Sequence, residues 1–86
     1  MDKEKKIQRE RLRAFINKRA IGIINDAVAR GDYDSIRQAL LSIGLEPANF
    51  RKIKANEMCF GIDHIYSLCK QNKISVDYIF FGIKKK

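Results

Sequence analysis

The residues best suited to chemistry in this 86-residue chain lie at positions 47–56, and that chemistry is hydrogen bonding to anions. The segment reads PANFRKIKAN, with three cations, two amides and no acid. Guanidinium and ammonium groups donate to phosphate oxygens and to guanine acceptors, and amides hydrogen-bond the sugar-phosphate backbone. No nucleophile–base pair accompanies them. The segment therefore predicts binding to a polyanion rather than catalysis.

A helix starting at Pro47 would sort these side chains onto faces, because proline suits the first turn of a helix. Phe50 and Ile53, three residues apart, would then face inward. The opposite face carries small residues and cations, which we predict to read base edges: Ala48, Arg51, Lys52 and Ala55. Polar residues on the flanks are predicted to contact the DNA backbone: Asn49, Lys54 and Asn56. The alternative is a solvated basic face on an ordinary core helix.

A short amphipathic helix over residues 35–43 precedes this segment. Its apolar residues recur at i, i+4 and i+7: Ile36, Leu40 and Ile43. Gly44 can adopt the left-handed conformation that ends a helix, and Leu45 then buries the corner. A helix pair joined in this way crosses steeply and projects one face of its second helix, as in a helix-turn-helix.

The rest of the chain predicts an all-α bundle of about five helices with a long N-terminal helix. Apolar residues over 5–30 recur at helical spacing: Leu12, Phe15, Ile16, Ala20, Ile23, Ile24, Ala27 and Val28. Gly22 either interrupts this helix or lies within it. A fourth helix is indicated by Ile62, Ile65, Leu68 and Cys69, and a short fifth helix over 76–81 lies between a Ser75 cap and Gly82. We divide the chain into a basic extension (1–20), a helix-turn-helix domain (21–82) and a basic tail (83–86).

Charge is concentrated at the two ends of the chain, which carries a net +8. Residues 1–20 hold eight Lys or Arg against three acids, and residues 51–86 hold the same numbers. Residues 21–50 hold two against four. This uneven distribution favours a polyanionic partner over a generally soluble surface.

The sequence predicts a cytoplasmic protein with no membrane segment. No apolar run approaches the roughly 20 residues that span a bilayer, and the charged first ten residues lack a signal-peptide core. Cys59 and Cys69 read as reduced core thiols. With His64 they form too small a ligand set for structural zinc, and Glu57 and Asp63 lack a catalytic context. We therefore expect no enzyme activity, metal, cofactor or small-molecule substrate.

With these elements in place, the chain over roughly residues 23–82 resembles the phage-repressor-type (lambda-repressor-like, XRE) helix-turn-helix domains. The match at the hinge is carried by Gly44, Leu45, Phe50 and Ile53. The match in the tail is carried by Ile65, Leu68, Cys69, Ile74, Ser75, Asp77, Tyr78, Ile79 and Gly82. The resemblance implies a bacterial or phage transcriptional regulator, typically a homodimer on a palindromic double-stranded DNA site. It also implies a recognition helix over 47–55 and backbone contacts from Ser35 and Arg37.

Three features depart from that family and leave alternatives open. Leu40 stands where the family usually has Ala, Ile36 stands where many members have Gln, and residues 1–20 have no evident counterpart. The alternative function is a helical protein-interaction module that no longer binds DNA. Structured RNA is a further alternative, although an aromatic stacking platform is lacking.

Two regions have open roles at this stage. The extension is a solvated helix end, an arm along DNA phosphate, or a dimerisation helix through Leu12, Phe15 and Ile16. Phe80 and Phe81 cannot both be buried on a one-turn helix. One of them is predicted to seal the core, and the other to contact a dimer mate or another partner.

Overall fold

The computed structural model describes residues 2–83, with the side chains of residue 5 and residues 7–83, so the tail over 84–86 lies outside it. Its helices are α1 (Asp2–Arg30), α2 (Ile36–Ser42), α3 (Pro47–Lys54), α4 (Ile62–Asn72) and α5 (Val76–Phe81). No strand occurs among the described residues. The predicted all-α, five-helix architecture with a long N-terminal helix is confirmed.

Helix α1 is the element on which the others assemble, since α2, α3, α4 and α5 all pack against it. It runs without interruption through Gly22 and through the predicted boundary between residues 20 and 21. Gly31 ends it in the left-handed conformation at φ 87°, and the Asp32 N–H donates to the Ala27 carbonyl at 2.9 Å. None of the helices described here is both long and apolar enough to cross a bilayer.

The first half of α1 departs from the predicted apolar stripe. Leu12 and Phe15 are 50% and 52% exposed, whereas Ile16 and Ala20 are buried. The core reaches α1 only from Ile16 onward, so the residues before that level have nothing to pack against on most sides. Since Ile16 lies inside the core of its own chain, the dimerisation hypothesis was wrong to include it.

The turn between α2 and α3 follows the prediction. Ser35 caps α2, its Oγ accepting the Gln38 N–H at 3.1 Å. Gly44 adopts φ 81°, and the Leu45 N–H donates to the Leu40 carbonyl at 2.9 Å. This is the Schellman arrangement, in which the residue after the left-handed position packs back on the helix. Leu40 and Leu45 are accordingly both buried.

The last two helices close the core with one exception to the prediction. Ile62 is 82% exposed, because the core position ahead of α4 is filled by Phe60 instead. The predicted Ser75 cap is present, its Oγ accepting the Asp77 N–H at 3.2 Å. Phe80 packs against the core and Phe81 is 70% exposed, so the prediction that only one of the two packs into the core is confirmed.

Candidate nucleic-acid interface

Helix α3 is anchored on one side and exposed on the other. Phe50 and Ile53 are buried in the core, as the spacing predicted. The predicted base-reading residues are all exposed and form what we term the α3 face: Ala48, Arg51, Lys52 and Ala55. No other described segment covers this face, so its side chains can meet a ligand without rearrangement of the fold.

The electrostatics of the α3 face are those of uncompensated cations. Helix α3 contains no acid. Among the side chains that the structure describes, the only ion pair is Arg30–Asp32, at 3.0 Å. Arg51 and Lys52 are therefore free of carboxylate partners in this part of the chain and keep their donors for an external acceptor.

The three flanking residues differ in how free they are. Lys54 is exposed, with its Nζ 5.2 Å from the centroid of the Phe50 ring at the edge of the core. Asn49 is half-buried. Asn56 is exposed but has a structural task, since it ends α3 in the left-handed conformation at φ 61°. Its Oδ1 accepts from Asn17, which leaves Nδ2 as the group that could donate outward.

The remaining predicted backbone contacts lie on a different helix. Ser35 and Arg37 are exposed at the start of α2, which packs against α3. The Ser35 Oγ is already an acceptor for the cap of α2, so only its hydroxyl hydrogen can contribute to a phosphate contact. Arg37 has an unpaired guanidinium among the described side chains.

A buried asparagine that sequence reasoning missed positions the end of α3. Asn17 is 1% exposed. Its Nδ2 lies 3.1 Å from the Ile53 carbonyl, 3.1 Å from Asn56 Oδ1 and 2.9 Å from the Met58 carbonyl. Its Oδ1 accepts the Phe60 N–H at 3.3 Å. One side chain thus satisfies the polar groups where α3 gives way to the following loop.

Arg13 extends this connection one turn toward the start of α1. Its Nη1 donates to the Asn56 carbonyl at 3.1 Å. We term Arg13, Asn17 and Asn56 the α1–α3 clamp. A polar residue at position 17 within an apolar stripe was the available signal, because buried amides occur where backbone groups need partners.

A second exposed region, which we term the α1–α5 edge, lies where α1 meets the end of α5. Arg19 Nη1 donates to the Ile79 carbonyl at 3.0 Å, which satisfies a carbonyl near the α5 C-terminus. The Arg19 guanidinium also lies 5.4 Å from the centroid of the Phe15 ring. Phe15 of α1 and Phe81 of α5 are the large exposed aromatics of these two helices.

The titratable residues considered for other chemistry have local roles. His64 Nδ1 accepts the Gly61 N–H at 3.1 Å at the start of α4. Cys59 and Cys69 are free thiols. Burial raises the pKa of both thiols, and for Cys59 the charge of Arg13 and a hydrogen bond from the Phe60 backbone oppose that rise. A raised pKa keeps a thiol protonated and less nucleophilic.

The arrangement as a whole suits insertion into a groove. An α-helix with its side chains is about 10–12 Å across, which matches the roughly 12 Å width of the DNA major groove. The α3 face offers small residues for close approach and cations for hydrogen bonds, and the α1–α3 clamp fixes its position.

No protein-family model matches this sequence, and no curated protein or solved structure gives a significant match.

Proposed function

We propose that this protein is a non-enzymatic regulator that binds specific sequences of double-stranded DNA, in the manner of a small transcriptional repressor. Helix α3 enters the major groove with the α3 face toward the bases. Arg51 and Lys52 donate to guanine acceptors, while Ala48 and Ala55 allow the helix to approach closely.

One observation carries this proposal. Phe50 and Ile53 hold one side of α3 in the core while the cations of the opposite side stay exposed and lack acidic partners among the described residues. A core helix with an incidental basic face does not require small residues between its cations. The α3 face combines cations with small residues, as a groove-reading helix does.

Phosphate contacts supply most of the affinity in this proposal. Lys54 and Asn49 flank the α3 face, and Ser35 and Arg37 lie at the start of the adjacent α2. Neutralising about 5–8 phosphates per protomer makes the binding affinity fall steeply with added salt. Asn56 contributes only through its Nδ2 group, because its Oδ1 already accepts from Asn17.

The resemblance to lambda-repressor-like domains adds a homodimer on an inverted repeat to the proposal. The exposed aromatics of the α1–α5 edge support self-association, because Phe15 and Phe81 are large apolar groups that a partner surface would shield from water. In such a dimer the two α3 helices would be separated by one helical turn of DNA or a multiple of it.

Selection of bound sites from a random duplex pool tests the proposal with the full chain. We expect an enriched inverted repeat whose half-sites give the operator and its spacing. The Lys52→Ala variant should lose preference at one position of that site, and Lys70→Ala serves as its matched control. Lys70 is likewise exposed on a helix, α4, outside the α3 face. Absence of any enriched sequence would contradict the proposal.

The second candidate is a helical protein-interaction module, and the observation that favours it is the exposure of large apolar groups. Leu12, Phe15 and Phe81 are each at least half exposed. A titration against random duplex at low salt separates the two candidates, because the module would give no shift at micromolar protein. Competition between RNA and DNA for the same protein tests the RNA alternative.

A further inference from the structure

Helix α1 extends beyond the body of the molecule. Its 29 residues amount to about 43 Å at 1.5 Å per residue, close to the 45 Å longest dimension of the described chain. Among the side chains of this helix that the structure describes, the first buried one is that of Ile16. Every described side chain from residue 5 through Leu12 is exposed. The segment over residues 2–12, about 16 Å long, therefore projects past the core.

On the projecting segment, cations occupy the angular positions that apolar residues occupy on the core-facing side farther along α1. Lys5, Arg9 and Arg13 follow one another at i, i+4 and i+8, within about 60° of the direction of Ala20 at 100° per residue. We term these three residues the α1 stripe. Before Ile16 in the sequence, the side of α1 that packs against the core farther along the helix thus carries cations.

The clamp places this stripe next to α3. Arg13, the last residue of the stripe, donates to the Asn56 carbonyl at the C-terminal end of α3. Asn17, one turn farther on, bonds the Ile53 carbonyl within that end. The stripe therefore starts at the end of α3 and continues outward on the side of α1 that faces it.

We infer that the α1 stripe binds the phosphates of the DNA that flanks the half-site read by α3, an inference that rests on the proposed function. Lys5 and Arg9 are separated along the helix by about 6 Å, so they can engage separate phosphates. The stripe begins beside the C-terminal end of the helix that carries Arg51 and Lys52, which favours the same polyanion as its occupant.

A second copy of this chain fits the stripe poorly. Two such stripes would repel each other, because each carries only positive charge. Phe15, the aromatic residue of α1 that suits a dimer contact, lies about 140° away from Ala20 around the helix and at least about 80° from each residue of the stripe. Self-association through Phe15 and phosphate contact through the stripe thus use different sides of α1.

The test compares two double variants of the full chain. Lys5→Gln with Arg9→Gln removes two charges from the stripe. Arg11→Gln with Lys18→Gln removes the same residue types from exposed positions at least about 160° from Ala20 on the same helix. All four substitutions retain good helix formers, so both variants should melt like the wild type.

Each protein is titrated with the selected duplex in two lengths, one ending at the site and one extended by about 10 base pairs on each side. The wild type and the control should gain affinity from the extension, and the stripe variant should not. On the long duplex the stripe variant should lose on the order of tenfold in affinity at about 0.1 M salt. Its slope of log K against log salt should fall by about 2, at about 0.9 per phosphate.

The outcomes separate this inference from the proposed function. If the stripe variant gains from the extension and matches the control in slope, the inference is overturned while DNA binding by α3 stands. If the stripe variant instead changes the sedimentation of the free protein and keeps the gain, the stripe is a self-contact and the inference is also overturned. Failure of the wild type to bind either duplex would overturn the proposed function itself.

Discussion

Two sets of exposed cations lie on helices of this molecule, and the difference between them is how each helix is held. Arg51 and Lys52 lie on α3, which Phe50 and Ile53 anchor from behind. Lys5 and Arg9 lie on the part of α1 that has left the core. The same donors are thus presented once on a rigidly seated helix and once on a projecting one. We expect the first set to discriminate between bases and the second to supply attraction without discrimination.

Breaking the clamp should have the largest effect, because it joins these two regions. Asn17→Ala leaves the buried groups of the α3 end without partners, which we expect to lower the free energy of unfolding by about 2–4 kcal/mol. Chemical denaturation monitored by circular dichroism measures this. Asn25→Ala is the matched control, since Asn25 is exposed on the same helix. Equal stability of the two variants would show that the clamp does not hold α3.

Removing one cation from each set sharpens the contrast in binding. Lys52→Ala should cost roughly 1–3 kcal/mol on the selected site and relax the preference at one base pair. Lys5→Ala should weaken binding to all extended duplexes to the same degree, whatever their sequence, and lower the salt slope by about 1. Anisotropy titrations on the selected site and on point-substituted sites measure both. An equal loss of affinity on every site for Lys52→Ala would show that Lys52 contacts a phosphate rather than a base.

The outer part of the clamp should matter less than its centre. Arg13→Ala removes one hydrogen bond to the Asn56 carbonyl at a partly exposed position, so we expect a loss of roughly 0.5–1.5 kcal/mol in unfolding free energy. The same denaturation measurement checks it, with Arg11→Ala as control. A loss as large as that of Asn17→Ala would mean that Arg13 is an equal partner in the clamp.

Cys59 reports on the same junction through its reactivity. Burial holds the pKa of its thiol above the ordinary value of 9.0, so alkylation at pH 8 should be slower than for a free thiol. The pKa of this thiol is higher in the folded state than in the unfolded state. The contribution of the thiol to the free energy of unfolding is therefore present below the unfolded-state pKa and is lost as the pH rises through the folded-state pKa. Asn17→Ala should speed alkylation of Cys59, followed by mass spectrometry. An unchanged rate would show that the loop stays closed without Asn17.

The local features of the hinge could be predicted from the sequence because short-range rules govern them. Proline at the start of a helix, glycine at its end and two apolar residues three apart determine the orientation of α3 within its own segment. Gly44, Phe50 and Ile53 therefore behave as predicted. The Ser75 cap and the Gly82 stop of α5 follow from the same rules.

The first half of α1 could not be predicted in this way. Helical periodicity indicates which side of a helix is apolar, but it does not indicate where the rest of the molecule ends. Leu12 and Phe15 continue the apolar pattern and are nevertheless half exposed. The role of Asn17 was also hidden, since its partners on and after α3 lie 36–43 residues away in the sequence.

The most direct test of the central claim is the change in backbone amide chemical shifts when the selected duplex is added to the isotope-labelled full chain. We expect the largest changes to cluster on α3 at Ala48, Arg51, Lys52 and Ala55, with smaller ones at the start of α2 and along the first turns of α1. Changes confined to α4 and the α1–α5 edge, with α3 unaffected, would contradict it.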